Sequence, residues 1–175
     1  MTAAVFPLPH PGRSLFAGAD ICRQAGLTLP DRAARPNFDD DLWDFTDVAG
    51  LPVSLTLAVR RFSFAQIADP RWRLAAKELI FAMLVPRHEA VAELPRAFRT
   101  PMHLTTASGR LKETAQLLNW LAGQGVPSLA AVGTHHCEAY LAHRRDPGSA
   151  AVHRRDRRRR PARPDPAGAA AGRPH

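Results

Sequence analysis

The sequence predicts a mainly α-helical protein: a small bundle of three or four helices with an irregular N-terminal arm and a disordered C-terminal tail. Three observations predict it. Apolar residues recur at helical spacing from residue 69 to residue 145. The stretches between those periodic runs are short, which suits a bundle. The sixteen prolines of the 175-residue chain gather toward its two ends.

Taken in order, residues 1–36 are rich in Pro, Gly, Ala and Arg and show no sustained period. They read as a loose arm with one short helix at about residues 20–26. Residues 37–68 form an acidic-aromatic and extended lead-in. "NFDDDLWDFTDVAGLP" is followed by "LPVSLTLAV" and "RRFSFAQI". Both of the latter alternate roughly apolar and polar, so each is a short strand or an extended segment laid on the core.

Residues 69–145 are expected to form one helical domain. Asp69 can cap a helix and Pro70 fits its first position, where a missing N–H costs nothing. Trp72, Ala76, Leu79, Ile80 and Met83 make an apolar stripe, and Pro86 ends it. A short helix at about 87–94 follows. The strongest element is "RTPMHLTTASGRLKETAQLLNWLAGQG". Leu104, Ala107, Leu111, Leu118 and Leu121 keep helical spacing, Thr114 and Ala115 bridge the gap, and Trp120 widens the face. Pro101 opens this helix, and Gly123 or Gly125 closes it. Thr134 caps a last helix on which Cys137, Tyr140 and Leu141 share a face. Residues 146–175 use eight residue types only. They lack the large apolar side chains that would offset chain entropy, so the tail is expected to be disordered.

The net charge is +8 and the pI about 11.1, so the expected partner is anionic. Residues 151–175 carry net +6, residues 60–145 another +6, and residues 1–59 net −3. A second basic region therefore lies upstream of the arginine-rich tail. Cys22 and Cys137 stand far apart in no recognised spacing, which argues against a disulfide framework and for a reducing compartment. The longest apolar run, "LIFAMLV", has seven residues against the roughly 20 needed to span a bilayer. No secretory signal is visible. A cytoplasmic protein with no membrane contact is expected.

"DDLWD" at 40–44 matches a magnesium-binding pattern but has no second metal motif, and it reads as a solvated acidic turn or helix start. In "THHCEAY" the adjacent His135, His136 and Cys137 point about 100° apart on a helix, so they do not converge on one ion. A buried cysteine with two surface histidines is the reading. No phosphate-binding loop, dinucleotide fingerprint or nucleophile elbow is present, and nothing assembles a nucleophile, a base and an orienting group. The expectation is no enzyme activity, no catalytic residues, no metal, no cofactor and no small-molecule substrate.

The basic residues of 60–145 interleave with helix starts, where free N–H groups and a partial positive charge suit phosphate. Arg71, Arg73 and Lys77 fall largely off the first apolar stripe. Arg96 and Arg99 precede the long helix, and Thr100, His103, Thr105 and Thr106 crowd its first turns.

The stretch from Arg99 to Arg145 resembles the core-binding domain of tyrosine recombinases, the phage-type site-specific integrases. The matching parts are the threonine-rich start at 100–106, the leucine-spaced helix at 111–121 and Trp120-Leu121 with Gly125. Ser128-Leu129 with Val132, and Tyr140-Leu141 with Arg144, complete the set. "RFSFAQIADPRWRLAAKELI" looks like the lead-in of actinobacterial members, and the resemblance covers about residues 60–145. Gly109 departs from it by standing where a larger helix residue is expected. The resemblance implies a helical, SAM-like domain that clamps double-stranded DNA at a recombination site, near the nucleoid. It also implies a catalytic domain with a nucleophilic tyrosine, which has no counterpart after residue 145. The expected function is DNA binding associated with integration and recombination, without strand cleavage. The expected phosphate-facing set is Arg73, Lys77, Arg96, Arg99, Thr100, His103, Arg110 and Lys112. An alternative is association with other recombinase subunits through the region of Leu118, Trp120 and Leu121. A third is a truncated remnant whose tail is a frameshift product.

Overall fold

Asp69 stands in an extended conformation and its carboxylate accepts the Arg71 N–H at 2.9 Å, so the first long helix has a defined start at Pro70. Numbered in chain order, the helices of the computed structural model are α1 (Ile21–Gln24), α2 (Leu57–Arg60), α3 (Pro70–Leu84), α4 (Leu104–Gly123) and α5 (Thr134–Arg145). Two short strands, β1 (Leu42–Asp44) and β2 (Arg61–Ser63), complete the regular structure. The structure describes residues 14–91 and 100–145. The chain is mainly helical, as the periodicity predicts. It divides into a unit ending at Val132 and a second starting at Gly133. The expected single domain at 69–145 is thus split, with α5 in the second unit.

Within the first unit, α3 buries Trp72, Ala76, Lys77, Ile80, Phe81 and Leu84. Trp72, Ala76 and Ile80 of the expected stripe are buried, but the face shifts at its far end: Leu79 is 41% exposed and Met83 is only partly buried, while Phe81 and Leu84 are buried. The reason is aromatic. The Phe81 ring lies 4.5 Å from that of Phe16 and 5.6 Å from that of Phe38. Those contacts favour the Phe81 side of the helix over the Leu79 side.

The helix α4 packs along α3 and buries Leu104, Ala107, Ser108, Leu111, Ala115, Leu118 and Leu121. Its end is a Schellman motif. Gly125 has a φ of 73°, the Val126 N–H reaches the Leu121 carbonyl at 3.1 Å, and the Gly125 N–H reaches that of Ala122 at 3.0 Å. Val126 and Leu121 both join the core, the apolar contact that accompanies this cap. Within the same helix, the Asn119 side chain donates to the Gln66 carbonyl at 2.9 Å and accepts the Ala68 N–H at 3.1 Å. It ties α4 to the chain entering α3.

The lead-in departs from the sequence reading. β2 pairs antiparallel with β1, setting Trp43 opposite Phe62. The strand partner thus comes from the acidic stretch, not from "LPVSLTLAV", which forms turns and α2. Trp43 and Phe62 are both fully buried, while their neighbours Leu42, Arg61 and Ser63 are exposed. The aspartates on either side of Trp43 mask this alternation in the sequence. Arg60 orders the intervening loop: its guanidinium donates to the carbonyls of Thr46, Pro52 and Leu55 at 2.8–3.1 Å.

From Ser14 onward the N-terminal arm is not loose. Phe16, Ile21 and Cys22 are core residues. Asp20 caps α1 by accepting the Arg23 N–H, as the expected helix at 20–26 requires. The Ile21 N–H bonds the Pro36 carbonyl and the Phe38 N–H bonds that of Ala19. Single anchored side chains rather than a repeating pattern hold this segment, so no period betrays it. Residues 1–13, the second half of the helix expected at 87–94 and the tail at 146–175 lie outside the described residues. Of that helix, a 3-10 turn at Glu89–Val91 is present.

In the second unit, α5 buries none of its residues, and Cys137 is exposed rather than buried. Thr134 is its first helical residue rather than its cap. Gly133 holds the cap position, its carbonyl accepting from the His136 N–H at 3.0 Å.

Gly109 lies in the interior of α4, is exposed, and a Cβ added there would meet nothing within 4 Å. Gly109→Ala is therefore expected to raise unfolding stability by about 0.5–1 kcal/mol, read as a higher urea midpoint at unchanged slope.

Candidate nucleic-acid interface

Two of the eight expected phosphate-facing residues turn inward. Lys77 is 6% exposed. Its ammonium donates to the Asp39 carbonyl at 2.8 Å and pairs with the Asp41 carboxylate at 2.9 Å, 5.9 Å from the centre of the Phe64 ring. Arg73 pairs with the same Asp41 carboxylate and donates to the Ile67 carbonyl through Nε and a terminal nitrogen at 3.2 and 3.1 Å. A buried ammonium needs a countercharge and acceptors, and Asp41 with Asp39 supplies both. These two cations hold the lead-in against α3. Beside them lies a half-open cavity of about 270 Å³, lined by Phe38, Asp39, Asp41, Pro70, Arg73, Leu74 and Lys77.

Four of the remaining expected residues lie just before α4 or in its first turns. Thr100, His103, Arg110 and Lys112 are all exposed. His103 occupies the N-cap position without a side-chain cap bond. Arg110 pairs with Glu113 at 3.0 Å, one turn on. Arg96 and Arg99 lie outside the described residues. Thr100 and His103 thus precede α4, and Arg110 and Lys112 flank the buried Leu111 on its second and third turns, about 200° apart around the helix.

Pairing recurs elsewhere. Arg35 meets Asp20, Arg61 meets Asp44, and Arg71 meets Asp69. In the described part of the first unit, residues 14–91 and 100–132, eleven Lys and Arg face eleven Asp and Glu. Within the second basic region read from the sequence, Arg61, Arg73 and Lys77 are paired with lead-in aspartates, Asp44 and Asp41. Residues 133–175 hold ten arginines and four acidic residues, net +6. Arg144 and Arg145, in the last turn of α5, begin that run. Both fall inside the basic region at 60–145 but outside the expected contact set. The signal that points to them is the unbroken basic run from His143 to Arg145 at a helix C-terminus.

The subunit-docking region also changes. Leu118 and Leu121 are 3% and 1% exposed and belong to the core, leaving Trp120 partly buried at their flank. "DDLWD" enters a strand instead of an acidic turn or helix start. Among the described residues no three His, Cys, Asp or Glu side chains are grouped to hold a metal ion. No helix among them is long and apolar enough to cross a membrane. Comparison with family models, with curated proteins and with solved structures yields no match.

Electrostatically, the cluster is governed by Asp41. Desolvation acts to raise its carboxyl, but the hydrogen bond and charge of Lys77 and the charge of Arg73 outweigh it and hold the group below its ordinary 3.8. A carboxylate lowered in the folded state stabilises fully above the unfolded value. That stability is lost as pH falls through the lowered one. Unfolding stability should therefore be level near neutrality and decline in acid. In Asp41→Asn it should be lower at pH 7 and the acid decline shallower, measured by urea titration with tryptophan fluorescence. An acid limb of unchanged steepness would assign that decline to other carboxylates.

Proposed function

We propose that the chain binds duplex DNA without cutting it, with the first unit acting as a charge-balanced scaffold and the affinity supplied mainly by residues 133–175. One observation carries this reading: the larger part of the chain's excess positive charge falls after Gly133, while the folded part before it is neutral in its described residues. Phosphates are met by net positive charge, because each neutralised phosphate releases counterions condensed on the duplex. Arg35, Arg61, Arg71, Arg73 and Arg110 of the first unit already stand beside carboxylates, whose negative charge lowers the net attraction of that surface for phosphate. Exposed Thr100, His103, Arg110 and Lys112 add a second, weaker contact at the start of α4, where hydroxyl and cationic groups position a backbone without reading bases. The recombination setting of this binding rests on the resemblance of residues 60–145 to the integrase core-binding domain.

The test is a gel-shift series on the full chain at several salt concentrations. Binding should weaken steeply with salt. Replacing Arg154, Arg155, Arg157, Arg158, Arg159 and Arg160 by Gln should flatten the logarithmic slope by up to about 0.9 for each phosphate no longer neutralised. Arg110→Gln with Lys112→Gln should change affinity only a few-fold. An unchanged slope after the sixfold replacement would return the interface to α4. No duplex binding even at low salt would overturn the proposal.

A further inference from the structure

The start of α5 is built around two histidines. Gly133 is the N-cap, since the His136 and Cys137 N–H groups reach its carbonyl at 3.0 and 3.4 Å. His136 is then the third helical residue, the position from which a glutamate side chain ordinarily returns to the cap N–H. Here the imidazole does so: Nδ1 of His136 accepts the Gly133 N–H at 3.1 Å. The His135 ring lies against it, centroids 3.8 Å apart at an interplanar angle of 41°. Room for that stacking comes from the bare Cα of Gly133. A Cβ there would stand 3.1 Å from Nδ1 of His135.

The cap bond requires that Nδ1 of His136 carry no proton. A protonated imidazole carries a hydrogen on both nitrogens, so His136 can no longer accept the Gly133 N–H. The new charge sits at a helix N-terminus, the end that disfavours cations. A second protonation places a like charge on the stacked neighbour. Glu138, three residues after His135, is the only carboxylate of α5. His143, Arg144 and Arg145 gather in its last turn and add to the positive side.

We propose that His136, with His135 stacked on it, is a pH-sensitive cap that holds the first turn of α5 when neutral and releases it when protonated. The device is independent of what the chain binds, since it concerns the integrity of α5 alone.

Amide hydrogen exchange of the full chain, followed by NMR at several values between about pH 8 and pH 5 where histidine changes charge, tests this. After correction for intrinsic exchange, protection of the hydrogen-bonded amides of Gly133, His136 and Cys137 should fall about five- to tenfold on acidification. Amides in the middle of α4 serve as the internal reference and should hold. His136→Glu restores the ordinary capping residue and should remove most of that fall. His135→Gln should reduce it while leaving the cap in place at pH 8. Protection in the parent chain that does not change with pH, or a fall that persists unaltered in His136→Glu, would overturn the proposal.

Discussion

The first unit depends on satisfying one buried ammonium. Lys77 lies on the core face of α3, and an unpaired charge there would cost far more than the helix gains from packing. Its partners lie well back in the chain, at Asp39 and Asp41. Drawing those residues onto α3 fixes the path of the polypeptide on either side. Phe38 is set against Phe81 just before them, and Trp43 against Phe64 just after. The strand pair then follows, because Trp43 enters the core opposite Phe62. Arg73 grips the same carboxylate from one turn earlier on α3. Three charges thus decide how a segment with little regular structure closes over a helix.

Local rules make much of the fold legible. Asp69-Pro70 marks the start of α3, and the leucine spacing of α4 and its Gly125 stop are read off the sequence with the correct buried residues. The departures have tertiary causes. The apolar stripe of α3 finds Trp72, Ala76 and Ile80, but a lysine on the core side is invisible to it, and it names Leu79 and Met83 where Phe81 and Leu84 are buried. β1 is hidden because aspartates before and after Trp43 read as a solvated turn. Phe16, Ile21 and Cys22 are buried in a segment bonded to residues 36–38, a pairing no local window contains. The helical state of α5 is legible, but the exposure of Cys137 is not, since its face looks apolar enough to be covered.

The charge distribution is the least legible part, because counting cations by region cannot see which of them are already paired. Residues 60–145 hold their basic charge in the sequence, yet two lead-in aspartates, Asp41 and Asp44, fold onto α3 and β2 and pair with Arg73, Lys77 and Arg61. The same accounting gives new weight to the residues after Gly133, where arginines far outnumber carboxylates. A basic patch becomes an interface only to the extent that its charge is not cancelled internally.

The Arg60 guanidinium orders the loop before β2 by binding three main-chain carbonyls. Every sequence offers those acceptors, whatever its side chains. Val53, almost wholly exposed, and Leu57, more than half exposed, contribute little to holding the loop in place. The loop is thus gathered largely through its main chain, with Leu51 packed on the core and the Ala58 carbonyl accepting from Ser108, so the identity of its outward side chains, Val53 above all, matters little to its path.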